Sequence, residues 1–70
     1  GIRVNAVSPG VTRTGIHAAG GDPQRAERLA SRIPLGRAAE PDEIAEAVAW
    51  LLSDKASYAT GTVLRVAGGL

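Results

Sequence analysis

The amino-acid sequence predicts an α/β fold in which a strand, a loop, two helices and a second strand follow one another. Two short runs rich in β-branched residues lie near the ends of the 70-residue chain, at residues 2–7 and 62–66. Between them, two segments repeat apolar residues at the three- and four-residue spacing of an amphipathic helix. Strands separated by helical segments are typical of an open parallel sheet.

The first strand, predicted at residues 2–7, is followed by a sharp turn. Pro9 has no backbone N–H to donate to a central sheet ladder, so we expect the strand to end beside it. Gly10 permits a tight turn and a close approach of backbone to a ligand. Thr12 and Thr14 then offer hydroxyl groups past the end of the strand, where ligands bind in open α/β sheets. The sequence therefore predicts a polar cofactor site after the first strand.

A loop and a first helix are expected next. Residues 15–21 contain three glycines and little periodicity, which favours a loop. Asp22 can cap exposed amides at a helix start, and Pro23 suits the first helical position. Pro34 ends the helix. Its predicted apolar stripe consists of Ala26, Leu29, Ala30 and Ile33.

The second helix is predicted over residues 41–53. It begins at Pro41, and the carboxylates of Asp42 and Glu43 suit the positive end of the helix dipole. Trp50 lies one step off the apolar stripe, so core packing and a subunit contact are equally compatible with its position. The stripe predicted to be buried consists of Ile44, Ala47, Val48, Leu51 and Leu52.

The composition predicts a small domain with a thin core. Hydrophobic residues make up 44% of the chain, yet phenylalanine, methionine and cysteine are absent. The apolar volume therefore comes from small and aliphatic side chains, and no disulfide or thiolate metal site can reinforce it. A chain of this size is expected to be marginally stable alone or to be stabilised by self-association.

The charge pattern argues against a nucleic-acid or membrane partner. Eight basic and seven acidic residues give a net charge of +1. Asp42, Glu43 and Glu46 would stand at the leading end of a recognition helix, where they would repel phosphates, so a helix-turn-helix module is rejected. No apolar run approaches the roughly 20 residues of a membrane helix, and no signal peptide is visible. We therefore expect a cytoplasmic protein.

Five segments, in this order along nearly all of the chain, resemble the short-chain dehydrogenase/reductase family. They are the strand and Pro-Gly turn at residues 2–10, Pro-Leu-Gly-Arg at 34–37, Glu-Pro-Asp-Glu-Ile-Ala at 40–45, Ala-Ser-Tyr-Ala-Thr-Gly-Thr-Val-Leu at 56–64 and Val-Ala-Gly-Gly at 66–69. The resemblance implies the C-terminal portion of a Rossmann-like doubly wound parallel sheet, with 62–66 as its last strand.

The resemblance also implies NAD or NADP as cofactor. In that family the backbone after the Pro-Gly pair holds the nicotinamide carboxamide, so residues 1–14 correspond to a strand and a nicotinamide-side turn. Thr12 matches a position of backbone contacts, and Thr14 matches a threonine that reaches the carboxamide or pyrophosphate. The implied cofactor-binding residues are Pro9, Gly10, Val11, Thr12 and Thr14.

Residues 15–33 match the family's substrate loop and the helix after it. The resemblance implies a lid that shields hydride transfer from water, whereas the alternative is a loop followed by an ordinary surface helix. Ile16 and His17 are the implied substrate contacts. His17 has no second ligand nearby in sequence, so no metal site is expected. Arg13 is interpreted as an exposed loop arginine, with a contact to a phosphate or an anionic substrate as the alternative.

The family commonly forms tetramers through this second helix and last strand, which implies a homo-oligomer here as well. One residue departs from the family pattern, because Ala67 stands where the family usually has aspartate. In the family that aspartate lies near the subunit contact, so the difference affects the expected details of assembly and not the resemblance to the family.

The sequence contains neither a glycine-rich phosphate fingerprint nor a Tyr-x-x-x-Lys motif. Because members of the family it resembles carry both motifs, we expect the chain to be part of a larger protein, and the resemblance implies that this protein is an NAD(P)-dependent oxidoreductase that interconverts an alcohol and a carbonyl compound. The 70 residues alone should be inactive, and no catalytic residue is assigned among them. The alternative is a catalytically inactive fragment that acts only as a self-associating or interaction module.

Overall fold

A computed structural model describes residues 1–15, 20–21 and 24–70 of the chain. Within these ranges the elements are strand β1 (Ala6–Pro9), helix α1 (Arg25–Leu29), helix α2 (Pro41–Leu52) and strand β2 (Val63–Val66). The two strands pair in parallel, with Ala6 opposite Val63 and Pro9 opposite Val66. The predicted α/β class and the order of strand, helix, helix and strand are confirmed.

Strand β1 begins later than the predicted residues 2–7 and ends at Pro9. In the residues before β1, side-chain hydrogen bonds contribute much of the contact with the segment that precedes β2. The side chain of Asn5 donates to the carbonyl oxygen of Ala59 at 2.9 Å and accepts from the N–H of Thr62 at 3.0 Å. These bonds join the approach to β1 with the approach to β2. The Asn5 amide therefore fixes the register at which the two strands meet.

Helix α1 is shorter than the predicted helix and continues as a 3-10 turn at Ala30–Arg32. The predicted start at Asp22 and Pro23 lies outside the described residues. The apolar stripe is confirmed, because Ala26 and Ile33 are buried and the residues between them at helical spacing are half-buried. The backbone becomes extended at Ile33, as expected for a residue that precedes proline.

Helix α2 agrees closely with the predicted range 41–53. At its first turn the Glu43 carboxylate accepts a hydrogen bond from the backbone N–H of Glu40 at 2.9 Å. At its other end the Arg3 guanidinium donates to the carbonyl oxygen of Leu51 at 2.9 Å and to that of Ser53 at 3.2 Å. Helix α2 has no basic residue in its last turn, so this arginine supplies the positive charge that suits a helix C-terminus.

The predicted buried stripe of α2 is only partly correct. Leu51 is buried, and Ile44 and Ala47 are half-buried, but Val48 is 40% exposed and Leu52 is 78% exposed. The described sheet has only two strands, so it is too narrow to cover the whole apolar face of the helix.

The core is small, as the composition predicts. Its buried residues are Ala26, Ile33, Ala38, Leu51 and Ala56, and no polar residue in the described part of the chain is buried with them. Trp50 is 47% exposed, so its side chain is not packed in this core. Three of the five buried residues are alanines, and the apolar surface left outside this core is correspondingly large.

Candidate functional site

An open cleft of about 520 Å³ lies at the carboxyl end of β1. Its floor is the Pro-Gly turn and the segment that follows, and helix α1 contributes one wall. The lining residues are Pro9, Gly10, Val11, Thr12, Thr14, Arg25, Leu29 and Leu70. In open α/β sheets this edge is where ligands bind, because loops from parallel strands meet there.

The turn at Gly10 is pressed against the residue that follows β2. A Cβ atom placed on Gly10 would lie 2.6 Å from the Cβ of Ala67 and 2.8 Å from its Cα. The N–H of Gly10 also donates to the carbonyl oxygen of Val66 at 2.9 Å. The close approach of the two strand ends therefore leaves no room for a side chain at Gly10.

The segment after the turn is held in extended form by the connector between the helices. The N–H of Arg13 donates to the carbonyl oxygen of Ala39 at 2.9 Å, and the N–H of Ala39 donates to that of Val11 at 3.0 Å. The hydroxyl of Thr12 donates back to the carbonyl oxygen of Gly10 at 3.0 Å. These three bonds fix the backbone that forms the floor of the cleft.

Arg13 is bound by two carboxylates. Its Nη2 lies 2.6 Å from Oε1 of Glu27 on α1, and its Nε lies 3.5 Å from Oε1 of Glu40 before α2. The guanidinium thus joins the floor of the cleft to both helices. Since about half of each side chain is exposed, solvent screens these pairs and their main effect is to orient α1.

A second ion pair fixes the start of α2. Arg37 donates two hydrogen bonds to the Glu43 carboxylate, at 2.6 and 2.8 Å. These hydrogen bonds are the main reason that the pKa of the Glu43 carboxyl falls from 4.5 to about 2, and the hydrogen bond from the Glu40 N–H is the second reason. The same pair raises the pKa of Arg37. Glu43 is therefore a carboxylate that the folded chain holds ionised.

This shift predicts a pH-dependent contribution to stability. The pKa of Glu43 is lower in the folded chain than its ordinary value of 4.5, so the carboxylate stabilises the fold above that pH and loses its effect as the pH falls towards 2. We expect the free energy of unfolding of the wild type to exceed that of Glu43→Gln at about pH 6, and the difference to shrink by about pH 2.5. Chemical denaturation at both values measures it, and an unchanged difference contradicts the prediction.

The structure brings together all five residues predicted to bind the cofactor. The predicted substrate contacts Ile16 and His17 lie outside the described residues. Sequence reasoning missed Arg25 and Leu70 as lining residues. For Arg25 a signal existed, because it lies four residues before Leu29 and so on the same face of the helix.

Two negative findings apply to the described residues 1–15, 20–21 and 24–70. They contain no group of three or more histidine or acidic side chains placed to hold a metal ion. They also contain no helix long and apolar enough to cross a membrane.

Comparison with known proteins identifies the family. A family model described as enoyl-(acyl carrier protein) reductase matches residues 1–70. A solved structure described as a short chain dehydrogenase/reductase family protein is 49% identical, with a TM-score of 0.75, and the match covers 99% of this chain and 27% of that one. The chain belongs to the short-chain dehydrogenase/reductase family. The resemblance based on its motifs is thereby confirmed.

Other members of the short-chain dehydrogenase/reductase family are similar over the same length. An uncharacterized oxidoreductase of Escherichia coli K12, YgfF, is 54% identical over 69 residues, which are 99% of this chain and 28% of the relative. The structure of a 4-hydroxyisoleucine dehydrogenase complexed with NADH is 32% identical, with a TM-score of 0.79, over 97% of this chain and 28% of that one. The chain thus spans little more than a quarter of the length of the relatives it matches.

Proposed function

We propose that the protein containing this chain is an NAD(P)-dependent oxidoreductase that interconverts an alcohol and a carbonyl compound by hydride transfer. The observation that carries the proposal is the cleft at the end of β1, which is lined by all five residues that the family pattern assigns to the cofactor. A family member of similar fold is complexed with NADH, which supports the same cofactor class here.

The lining of the cleft fits a nicotinamide group. A nicotinamide ring needs a flat apolar surface for its faces and polar groups for its carboxamide. Pro9, Val11 and Leu29 supply apolar surface, while Thr12 and Thr14 bring hydroxyl and backbone groups to the same cleft. When bound, the cofactor supplies or accepts the hydride.

The role of this chain is to position the cofactor and shield it. Hydride transfer requires the reacting carbon atoms to be held close together and aligned. The contact of Gly10 with Ala67 and the backbone bonds of Arg13 to Ala39 keep the cleft floor in one conformation. Leu29 and Leu70 add apolar surface to the walls of the cleft. Residues 15–33 act in this proposal as the substrate lid.

The assembly we propose is a cytoplasmic homo-oligomer that buries the apolar surface of α2 and β2. Trp50, Leu52 and Val63 are 47%, 78% and 68% exposed. Large apolar side chains this exposed on neighbouring elements of the chain are typical of an interface. The substrate is a small alcohol or carbonyl compound.

The proposal is tested by the binding of NADH and NADPH to the intact protein, followed by fluorescence, and by their oxidation with a panel of carbonyl compounds. We expect Thr14→Val to weaken cofactor binding by about tenfold, because one polar contact to the cofactor is lost. Thr62→Val is the matched control, since Thr62 is exposed and lies outside the cleft. Failure of the wild type to bind either nucleotide refutes the proposed function and leaves the non-catalytic interaction module as the explanation.

A further inference from the structure

Arg25 is a cation in the wall of the cleft, and its side chain has no partner among the residues that the structure describes. Arg13, in the segment that forms the floor, is held by Glu27 and Glu40. Within residues 1–15, 20–21 and 24–70, by contrast, the side chain of Arg25 makes no hydrogen bond and no ion pair. The positive charge that the cleft presents to a ligand therefore comes from the helix wall and not from the floor.

The other described side chains that line the cleft are uncharged. Thr12 and Thr14 are polar, and the remaining ones apart from Arg25 are glycine, proline or aliphatic. Among these described lining residues no side chain is a carboxylate that could neutralise Arg25. An arginine beside hydroxyl groups and apolar walls suits a ligand that joins an anionic group to an apolar or flat body, because the guanidinium fork pairs with two oxygens of a carboxylate or phosphate.

We infer that Arg25 is a specificity-determining residue that binds a carboxylate or phosphoryl group of the ligand in this cleft. The inference rests on the proposed function, since it assumes that the cleft receives the cofactor and substrate. Two sources can provide such oxygens, namely an anionic carbonyl substrate and the diphosphate of the cofactor. In either case the ligand loses affinity when the charge of Arg25 is removed.

The test compares Arg25→Gln with Arg32→Gln in the intact protein. Arg32 is an exposed arginine just beyond α1, it has no partner among the described residues, and it does not line the cleft. One arm measures the Kd of NADH by fluorescence titration. The other measures, by calorimetry on protein saturated with NAD⁺, the Kd of levulinate and of methyl levulinate, which share a ketone and differ in the negative charge.

We expect Arg25→Gln to weaken ligand binding about tenfold in one of the two arms, as for the loss of a charge-assisted hydrogen bond. Arg32→Gln should weaken binding in neither arm. Weaker NADH binding identifies the diphosphate of the cofactor as the anionic group that Arg25 binds. Weaker levulinate binding with unchanged methyl levulinate binding identifies the substrate. Added salt should reduce the difference between Arg25→Gln and wild type, since it screens an exposed charge.

The outcomes separate this inference from the proposed function. If the wild type binds NADH and Arg25→Gln matches Arg32→Gln within twofold in both arms, the role of Arg25 is refuted and the proposed function stands. If the wild type binds neither NADH nor NADPH, both are refuted. Equal weakening of levulinate and its neutral ester also refutes the inference, because the effect would then not depend on the ligand's charge.

Discussion

Gly10→Ala is expected to lower the free energy of unfolding of the intact protein by about 2 kcal/mol and to weaken cofactor binding at least tenfold. The new methyl group would lie 2.6 Å from the Cβ of Ala67 and 2.8 Å from its Cα, so the ends of β1 and β2 must separate. That separation strains the bond from the Gly10 N–H to Val66 and displaces the cleft floor. Urea denaturation and NADH titration measure the two effects.

Two further variants show whether steric contact is the cause. Gly15→Ala adds the same methyl group after the same segment, but no atom of the described residues lies within 4 Å of it, so its stability should stay close to wild type. Adding Ala67→Gly to Gly10→Ala removes the nearest atom and should recover part of the loss, although the backbone contact remains. If Gly10→Ala is as stable as Gly15→Ala, the strand ends are not packed as described.

Gly68→Ala is expected to have the larger effect on stability, about 3 kcal/mol, because two costs combine. Gly68 has a φ of +65°, a conformation that residues with a Cβ rarely adopt, and its added methyl group would lie 2.8 Å from Cγ2 of Ile33. Ile33 is one of the few buried residues, so the core has little room to adjust. Urea denaturation of the intact protein measures the change.

The matched control for this prediction is Gly61→Ala. Gly61 has a similar φ of +71°, but in the part of the chain that the structure describes no atom lies within 4 Å of the position a Cβ would take. It should therefore show only the backbone cost, about 1 kcal/mol. The difference between the two variants then measures the contact with Ile33. Equal losses for both would mean that Gly68 does not pack against Ile33.

Features determined by nearby residues were predicted well. The start of α2 follows from Pro41 and Glu43, which act within the first turn of the helix. The site residues from Pro9 to Thr14 follow each other along the chain, so the sequence alone could place them in one segment. Their grouping in a cleft agrees with that prediction, and their contact with a cofactor remains a proposal.

Features that depend on distant partners were predicted less well. The start of β1 depends on where Asn5 meets Thr62, which is 57 residues away along the chain. Val48 and Leu52 have helical spacing suited to burial, yet the two described strands do not cover them. The binding of Arg13 by Glu27 and Glu40 is likewise a tertiary contact, which no local pattern reveals.

The parallel pairing of β1 with β2 determines when the cleft can form as the chain folds. Helices α1 and α2 depend on contacts between close neighbours, whereas the sheet must close a loop that holds both helices. Loop closure costs entropy before distant contacts offset it, so local helices form early and this pairing forms late. During synthesis β1 emerges before β2, so its end is paired only after Val66 has emerged. The cleft is therefore completed among the last parts of the chain to fold.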